Sequence, residues 1–226
     1  KHKKPTLTKK QRHKLRVQQV RRQKIFLTCL FLLIVGCILL RFSKFSGRQK
    51  ETHQINAACE AYRDEVSSEA AQYDMSDYVD LILAVMMQES SGQGTDPMQS
   101  SEGAYNTRYP QQPNGITDPS YSISCGIQEL KYALEKAVCT GPTDLSKIRL
   151  ALQAYNFGAD SYFAYLEENG QTVWTAQSAQ AFAQMASGGT QRDEDDPLHD
   201  PAGPWDYGDQ YYPDHVLRYY HLDNNS

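Results

Sequence analysis

The sequence predicts an all-α domain over residues 57–226, preceded by one transmembrane helix over residues 25–42. Four apolar residues follow the i, i+3, i+4, i+7 spacing of an amphipathic helix. They are Val79, Ile82, Leu83 and Met86. Later segments repeat this spacing, and no segment shows the apolar–polar alternation of a half-buried strand. The uncharged run Ile25–Leu40 between basic flanks is typical of a membrane anchor.

The formal charge of −4 conceals two parts of opposite sign. The first 50 of the 226 residues hold 15 of the 23 Lys and Arg residues and none of the 27 acidic residues. The other 176 residues hold 8 bases and all 27 acids, a formal charge of −19. A composition of 40% hydrophobic residues with five cysteines argues against a collagen-like, fully disordered or disulfide-framework protein. The acidic part has the length of one domain, about 100–200 residues.

Residues 25–42 are predicted to be an uncleaved signal anchor. Their uncharged run of sixteen residues is shorter than the usual span of about 20, but flanking Arg and Lys side chains can extend it by snorkelling. Eleven basic residues precede the run and four follow it, so the positive-inside rule places residues 1–24 in the cytoplasm. Residues 43–56 then form a tether. The acidic domain is expected outside the cell membrane, facing the cell wall.

Two alternatives compete with this interpretation of the N-terminal part. A cleaved signal peptide has a similar apolar run, but no small-x-small cleavage site follows Leu40. The basic tail over residues 1–24 also suits nucleic acid. Beside a membrane span, attraction to anionic lipid is the simpler explanation, and no nucleic-acid partner is expected.

Periodicity, caps and stop signals predict the helices of the acidic domain. The predicted segments are residues 60–72, a helix capped by Asp74 or Ser76 and stopped at 90–94, a helix from Ser122 to Val138, a helix from Thr143 or Asp144 to a stop at 156–158, residues 175–186, and residues 213–220.

Residues 93–121 are dense in Gly, Pro, Asn, Asp and Ser. A structureless stretch of this length is unusual inside a compact domain, so we expect a functional loop. The acidic segment 191–206 has no assigned function; a solvated loop is favoured over a cation site. Three cysteines lie outside the membrane segment, which permits at most one intramolecular disulfide, and small buried side chains are the favoured state. They are Cys59, Cys125 and Cys139.

Glu89 is the main candidate for chemistry because it continues the buried stripe of Ile82 and Met86. A carboxyl at the C-terminal end of a helix, on its apolar side, is disfavoured as an anion by desolvation and by the helix dipole. A carboxyl that stays protonated near neutral pH can act as a general acid and protonate a leaving oxygen. The alternative is a solvent-exposed Glu at a fraying helix end.

Five short sequence elements follow one another along the acidic domain. They are MQESSG (87–92), DPMQSSEG (96–103), NGITDP (114–119), a helix with Gly126 and Leu130, and AYNFG (154–158). This ordered set resembles the lysozyme-like superfamily of goose-type lysozymes and soluble lytic transglycosylases. It looks most like the goose-type lysozyme domain of CwlT-type cell-wall hydrolases from Gram-positive bacteria and conjugative elements, which ends in a similar YGD…HVLRYY element. The resemblance covers roughly residues 57–222 and implies a stand-alone, membrane-anchored form, since the CwlT type continues into a cysteine peptidase domain.

The resemblance implies a role for each matching residue. Glu89 matches the general acid that protonates the oxygen of the β-1,4 bond between N-acetylmuramic acid and N-acetylglucosamine. Ser90 matches a serine that forms a hydrogen bond near the acid, and Gln99 matches a glutamine that contacts the sugar. Tyr155 matches a tyrosine that approaches the acid, and Asn156 is expected to bind an N-acetyl group. The alternatives are that Tyr155 belongs only to the core and that Asn156 only caps its helix.

A second carboxylate is needed if the enzyme inverts, because a base must then activate water about 6.5–9.5 Å from the acid. Asp96, in the loop after Glu89, is the first candidate. Asp118 is the second, although an Asp-Pro pair before a helix is more often a turn or cap. If neither reaches the acid, the family's other chemistry applies, in which the muramyl 6-hydroxyl attacks internally and forms an anhydro sugar.

The sequence therefore predicts a membrane-anchored N-acetylmuramidase that needs no metal or organic cofactor. The alternatives are a lytic transglycosylase and a non-catalytic wall-binding scaffold. The expected partners are peptidoglycan glycan strands and the membrane. Division machinery and conjugative secretion machinery are both compatible with such an enzyme, and the sequence does not choose between them.

Overall fold

The computed structural model describes residues 53–196 and 199–222. The predicted basic tail (1–24), the predicted membrane anchor (25–42) and most of the predicted tether lie outside these residues. Over the two described ranges, none of the helices has the length and apolar character needed to cross a bilayer.

The described residues form an all-α domain, as predicted. The helices are α1 (Ala57–Glu60), α2 (Arg63–Gln72), a 3₁₀ helix (Ser76–Tyr78), α3 (Val79–Glu89), α4 (Pro119–Lys136), α5 (Leu145–Phe157), α6 (Ala159–Glu168), α7 (Ala176–Ala186) and α8 (Tyr212–Leu217). Within residues 53–196 and 199–222, the antiparallel pairing of Gln191 with Trp205 is an isolated bridge and does not extend into a strand.

Helix α3 lies at the centre of the core. All six residues from Leu81 to Met86 are fully buried, and the helix packs against α1, α2 and α8. The predicted stripe was too narrow, because Ala84 and Val85 lie outside it and are equally buried. A helix that is apolar all round is one enclosed on all sides. The chain therefore leaves the core only at the end of this helix, where Glu89 lies.

Helix α4 begins earlier than predicted. Its N-cap is Asp118, whose carboxylate accepts a hydrogen bond from the Ser120 backbone N–H at 3.2 Å, and Pro119 occupies the first turn. Proline suits this position because its missing N–H would have no helical partner there. Ser122, predicted as the cap, is fully buried inside the helix. The alternative reading of the Asp-Pro pair as a cap is therefore confirmed.

Helix α6 is absent from the sequence prediction, which ended the helical run at residues 156–158. Gly158 has φ +84°, a left-handed conformation that favours glycine, so the chain turns there and continues directly into α6. The buried residues of α6 are only Tyr162 and Leu166. One i, i+4 pair is too weak a pattern to predict a helix.

The loop between α3 and α4 packs closely on α4. A Cβ atom on Gly126 would lie 2.6 Å from Cβ of Met98, so the glycine makes room for this fully buried side chain. The cysteines contribute no cross-link to the described domain. Cys59 and Cys125 are buried thiols, as expected, while Cys139 is partly exposed. The loop and the core are therefore held by packing and hydrogen bonds.

Candidate active site

Glu89 is the last residue of α3 and is partly buried. Tyr212, which begins α8 and is 2% exposed, donates a hydrogen bond from its phenol to Oε1 of Glu89. The ring of Tyr155 stacks on that of Tyr212, with 6.3 Å between the centroids and 22° between the planes. Tyr155 therefore lies behind the hydrogen-bonding tyrosine. Its own hydroxyl donates to the carbonyl of Met98 at 2.9 Å.

The surroundings of Glu89 favour its protonated form. Burial raises the pKa of Glu89 to about 7, and the charges of Asp209 and Asp96 raise it further, while the hydrogen bond from Tyr212 opposes them. A carboxyl with a pKa near the working pH is well placed to donate a proton and to take one back. The predicted suppression of the charge on Glu89 is thus present in the structure.

Glu89 opens into a cavity of about 550 Å³. The far wall of this cavity carries Asp209 and His215, whose Oδ2 and Nδ1 atoms lie 2.6 Å apart. The hydrogen bond with Asp209 raises the pKa of His215, which favours the imidazolium form. The remaining oxygen of Asp209 accepts a hydrogen bond from the backbone N–H of Tyr211 at 2.8 Å. Asp209 is therefore a carboxylate that shares the cavity with Glu89.

Asp96 is buried beneath the loop and holds it together. Its Oδ1 accepts hydrogen bonds from the Ser100 backbone N–H at 3.1 Å and from the Ser122 hydroxyl at 2.6 Å. Its Oδ2 accepts from the Ser101 backbone N–H at 3.2 Å and from the Ser101 hydroxyl. An ionised carboxylate offers about four lone-pair sites, and these four donors fill them. A general base needs a free lone pair, so this arrangement supports Asp96 as a loop anchor and not as the base that activates water.

Asp118 does not share the Glu89 cavity. As the N-cap of α4 it lines a different cavity, together with Tyr73 and Arg108. Its carboxylate is turned to the helix start, where it accepts the Ser120 N–H. The structure thus brings neither predicted second carboxylate to the Glu89 cavity with a free oxygen.

Ser90 serves the loop as well. Its hydroxyl donates to the carbonyl of Pro97 at 2.8 Å and accepts from the N–H of Gly92 at 3.0 Å. Gln99 is exposed, with φ +49°, and its amide donates to the carbonyl of Asp96 at 3.0 Å. Ser90 therefore fixes the chain directly after Glu89, and Gln99 presents its side chain on the surface of the loop.

Asn156 lies where two cavities meet. It lines the Glu89 cavity and a neighbouring one of about 570 Å³, which Gln99 and Tyr155 also line. Its Oδ1 accepts a hydrogen bond from the backbone N–H of Asp209 at 2.7 Å. Asn156 therefore joins α5 to the segment before α8 and borders both cavities.

Glu129 is a site residue that the sequence analysis missed. It lines the second cavity, and its Oε1 is buried without a hydrogen-bond partner among the described residues. Burial raises the pKa of Glu129 to about 7, and the negative charges of Asp96 and Glu89 add to the effect. On α4 it follows Ile127 in what looks like a polar position. A Cβ atom on Gly103 would overlap its carboxyl, so the close fit depends on a glycine far away in sequence.

No group of three or more His, Cys, Asp or Glu side chains within residues 53–196 and 199–222 is arranged to hold a metal ion. The chemistry described below therefore uses only side chains that donate or accept protons.

The chain is similar to several known proteins. It is 35% identical over 169 residues to the bifunctional muramidase/DL-endopeptidase CwlT of Bacillus subtilis (strain 168), an alignment that covers 75% of this chain and 44% of that protein. It is 40% identical over 115 residues to the uncharacterized membrane protein YocA of the same organism, covering 49% of this chain and 45% of YocA. The chain thus spans a little under half the length of these two relatives.

A solved structure has the same fold. The crystal structure of a protein similar to a lipoprotein of the NLP/P60 family, from Staphylococcus aureus subsp. aureus Mu50, superposes with a TM-score of 0.63 at 27% identity. The superposition covers 77% of this chain and 56% of that one. The lysozyme-like family model matches residues 57–220, a range that includes Glu89, Tyr212 and both cavities. The chain belongs to the lysozyme-like family.

Proposed function

We propose that the chain is a peptidoglycan hydrolase, an N-acetylmuramidase in which Glu89 protonates the oxygen of the β-1,4 bond between N-acetylmuramic acid and N-acetylglucosamine. The observation that carries this proposal is a carboxyl with a pKa near neutrality at the wall of an open cavity, held by the phenol of Tyr212. Membership of the lysozyme-like family and the name muramidase of the relative CwlT agree with it.

Each of the remaining steps has a candidate group in the cavity. Proton donation by Glu89 leaves a carboxylate, which the hydrogen bond from Tyr212 stabilises. Asp209 is the carboxylate best placed to assist an attacking water, since it lines the same cavity and Asp96 has no free oxygen. The imidazole of His215 orients Asp209 from the other side.

A lytic transglycosylase is the second candidate, favoured by the full occupation of Asp96. In that reaction the muramyl 6-hydroxyl attacks the anomeric carbon and no water is activated. Glu89 protonates the leaving oxygen and then accepts the hydroxyl proton, so one carboxyl suffices. The product is a 1,6-anhydro sugar.

Glu89→Gln tests the proposed acid. Digestion of purified peptidoglycan should fall by about 10²–10⁴-fold, the usual contribution of a general acid. The exposed Glu135→Gln is the matched control and should keep the parent rate. Undiminished digestion by Glu89→Gln would refute the assignment. Mass spectrometry of the products distinguishes the two reactions, because reducing ends indicate hydrolysis and 1,6-anhydro ends indicate transglycosylation.

We also propose that residues 25–42 anchor the enzyme in the cell membrane with the domain facing the wall. The uncharged run and the excess of basic residues before it support this orientation. Protease added to intact protoplasts should remove the domain over residues 57–226 and leave residues 1–24 protected. Protection of the domain would contradict the proposed orientation.

A further inference from the structure

The acidic segment 191–206, which had no assigned function, forms one wall of the Glu89 cavity. Arg192, His199, Asp200 and Gly203 of this segment line the cavity opposite α3. The other contributors include His215 on α8 and Arg218 just after it. The segment is therefore part of the surface that meets whatever ligand enters beside Glu89.

Positive charge is concentrated in this cavity. Residues 51–226 contain 8 Lys and Arg residues and four histidines against 27 acids. Two of those arginines and two of those histidines line the one cavity that holds Glu89. A local cluster of cations in an acidic domain favours a ligand with negative charge.

Two of the four cationic side chains already have acidic partners. The guanidinium of Arg192 lies 3.4 Å from the carboxylate of Asp206. The imidazole of His215 lies 2.6 Å from that of Asp209. These pairs contribute little net charge toward a ligand, so recognition of an anion depends on Arg218 and His199.

Arg218 is fixed in place without an acidic partner among the described residues. Its Nη2 donates to Oε1 of Gln88 at 2.9 Å, next to the catalytic Glu89, and its guanidinium lies 4.9 Å from the ring centroid of Tyr219. Its Nε is buried and has no hydrogen-bond partner in the described part of the chain. A preorganised guanidinium with an unused donor is suited to bind a carboxylate.

His199 has a similar unused atom. Its Nδ1 is buried without a hydrogen-bond partner among residues 53–196 and 199–222, and its side chain lines the same cavity. Buried polar atoms are normally paired, so an unpaired nitrogen in a cavity wall points to a missing ligand. Arg218 and His199 thus offer two unpaired nitrogen atoms to one space.

We propose that Arg218 and His199 form an anion subsite that binds a carboxylate of the side chain on muramic acid. The inference rests on the proposed function, in which Glu89 acts at the glycosidic bond of that sugar. Muramic acid carries a lactyl ether whose carboxyl is either free or extended by a peptide with carboxylates of its own. Both sources present a carboxylate a short distance from the bond that is cleaved, whereas N-acetylglucosamine presents none.

The experiment measures binding without turnover, in the 226-residue chain carrying Glu89→Gln. Calorimetry compares three probes: a disaccharide-peptide with free peptide carboxylates, the same compound with those carboxylates amidated, and the peptide-free disaccharide with a free lactyl carboxylate. We expect the chain to bind at least one acid probe about tenfold more tightly than the amidated one, because a charge-assisted pair is lost on amidation. The acid probe that binds more tightly identifies the source of the carboxylate.

Arg218→Gln, added to Glu89→Gln, should bring the acid-to-amide affinity ratio to within about twofold of one. Arg63→Gln removes an equal charge from the exposed ion pairs with Glu60 and Asp80 and should preserve the ratio. His199→Gln should lower the ratio as well, and it provides the test if Arg218→Gln does not fold. Equal affinity of the Glu89→Gln chain for acid and amide, or an unchanged ratio in the folded subsite variants, would overturn the proposal. Neither result depends on whether Glu89 is the acid, which the digestion assay decides separately.

Discussion

The phenol of Tyr212 donates a hydrogen bond to the carboxyl of Glu89, a residue 123 positions earlier in the chain. Burial and the nearby charge of Glu89 hold the pKa of Tyr212 well above its ordinary value, so the phenol stays protonated and remains a donor. A donor to the carboxylate stabilises the ionised form and opposes the effect of burial. Tyr212 is therefore a positioning residue that keeps the pKa of Glu89 close to neutral.

Tyr212→Phe should raise the pKa of Glu89, because it removes the one interaction that favours the carboxylate. The alkaline limb of the pH profile of kcat/KM should then move to higher pH, since the acid keeps its proton longer. Loss of the hydrogen bond should also lower the free energy of unfolding by about 1 kcal/mol.

The control for this variant is Tyr220→Phe. The hydroxyl of Tyr220 donates to the carbonyl of Pro142 at 2.8 Å and does not line the Glu89 cavity. Its loss should cost similar stability and leave the pH profile unchanged. A shift of the Tyr212→Phe limb to lower pH, or none at all, would show that the phenol does not govern the protonation of Glu89.

Asp96→Asn separates the role of loop anchor from that of catalytic base. An amide nitrogen cannot accept the hydrogen bonds from the hydroxyl and N–H of Ser101, and a buried donor would be left unpaired. We expect the free energy of unfolding to fall by about 2 kcal/mol or more, measured by urea denaturation. Asp118→Asn is the matched control and should be nearly neutral, because Asn caps helices as well as Asp does. A variant with parental stability but no activity would restore Asp96 as the base.

Glu129→Gln should reduce the dependence of stability on pH. The pKa of Glu129 is raised from 4.5 to about 7, so the folded chain holds its proton over a window in which the unfolded chain loses it. Stability is therefore fully present below pH 4.5 and declines as the pH rises to about 7. The loss attributable to Glu129 is about 2 kcal/mol, since part of its side chain reaches solvent.

Urea denaturation at pH 5 and pH 8 measures this effect. Glu129→Gln stays neutral at both values and should narrow the difference in stability between them, while Glu89 retains its own contribution. The exposed Glu135→Gln on the same helix should leave the difference as it is in the parent. An equal difference in Glu129→Gln and the parent would indicate that Glu129 is ionised well below neutral pH.

The sequence predicted the parts of the site that local pattern encodes. The apolar spacing up to Met86 placed Glu89 at the inner end of α3, and the predicted cap Thr175 does precede α7. Asp96 was recognised as important, but its partner Ser122 lies 26 residues away and no local signal relates them. The type of residue was thus predictable, while its role depended on a contact made in the folded chain.

The remaining site residues depend on contacts of still longer range. The short helix α8 gives no periodicity that singles out Tyr212, and its hydrogen bond to Glu89 exists only after α3 and α8 pack together. Glu129 occupies what looks like a solvated position on α4 until Gly103 and its loop cover it. Patterns of one chain segment do not contain these meetings between segments.

The wall of the Glu89 cavity comes from a stretch that contributes little to the helical core. Among its described residues, the connection between Ala186 and Tyr212 contains no fully buried apolar side chain, yet it lines the cavity with Arg192 and His199. Holding the helices together and choosing a ligand are thus assigned to separate parts of the chain. Exchanging this connection for that of a relative would alter which glycan side chains the cavity accepts while α3, α4 and α5 keep their packing.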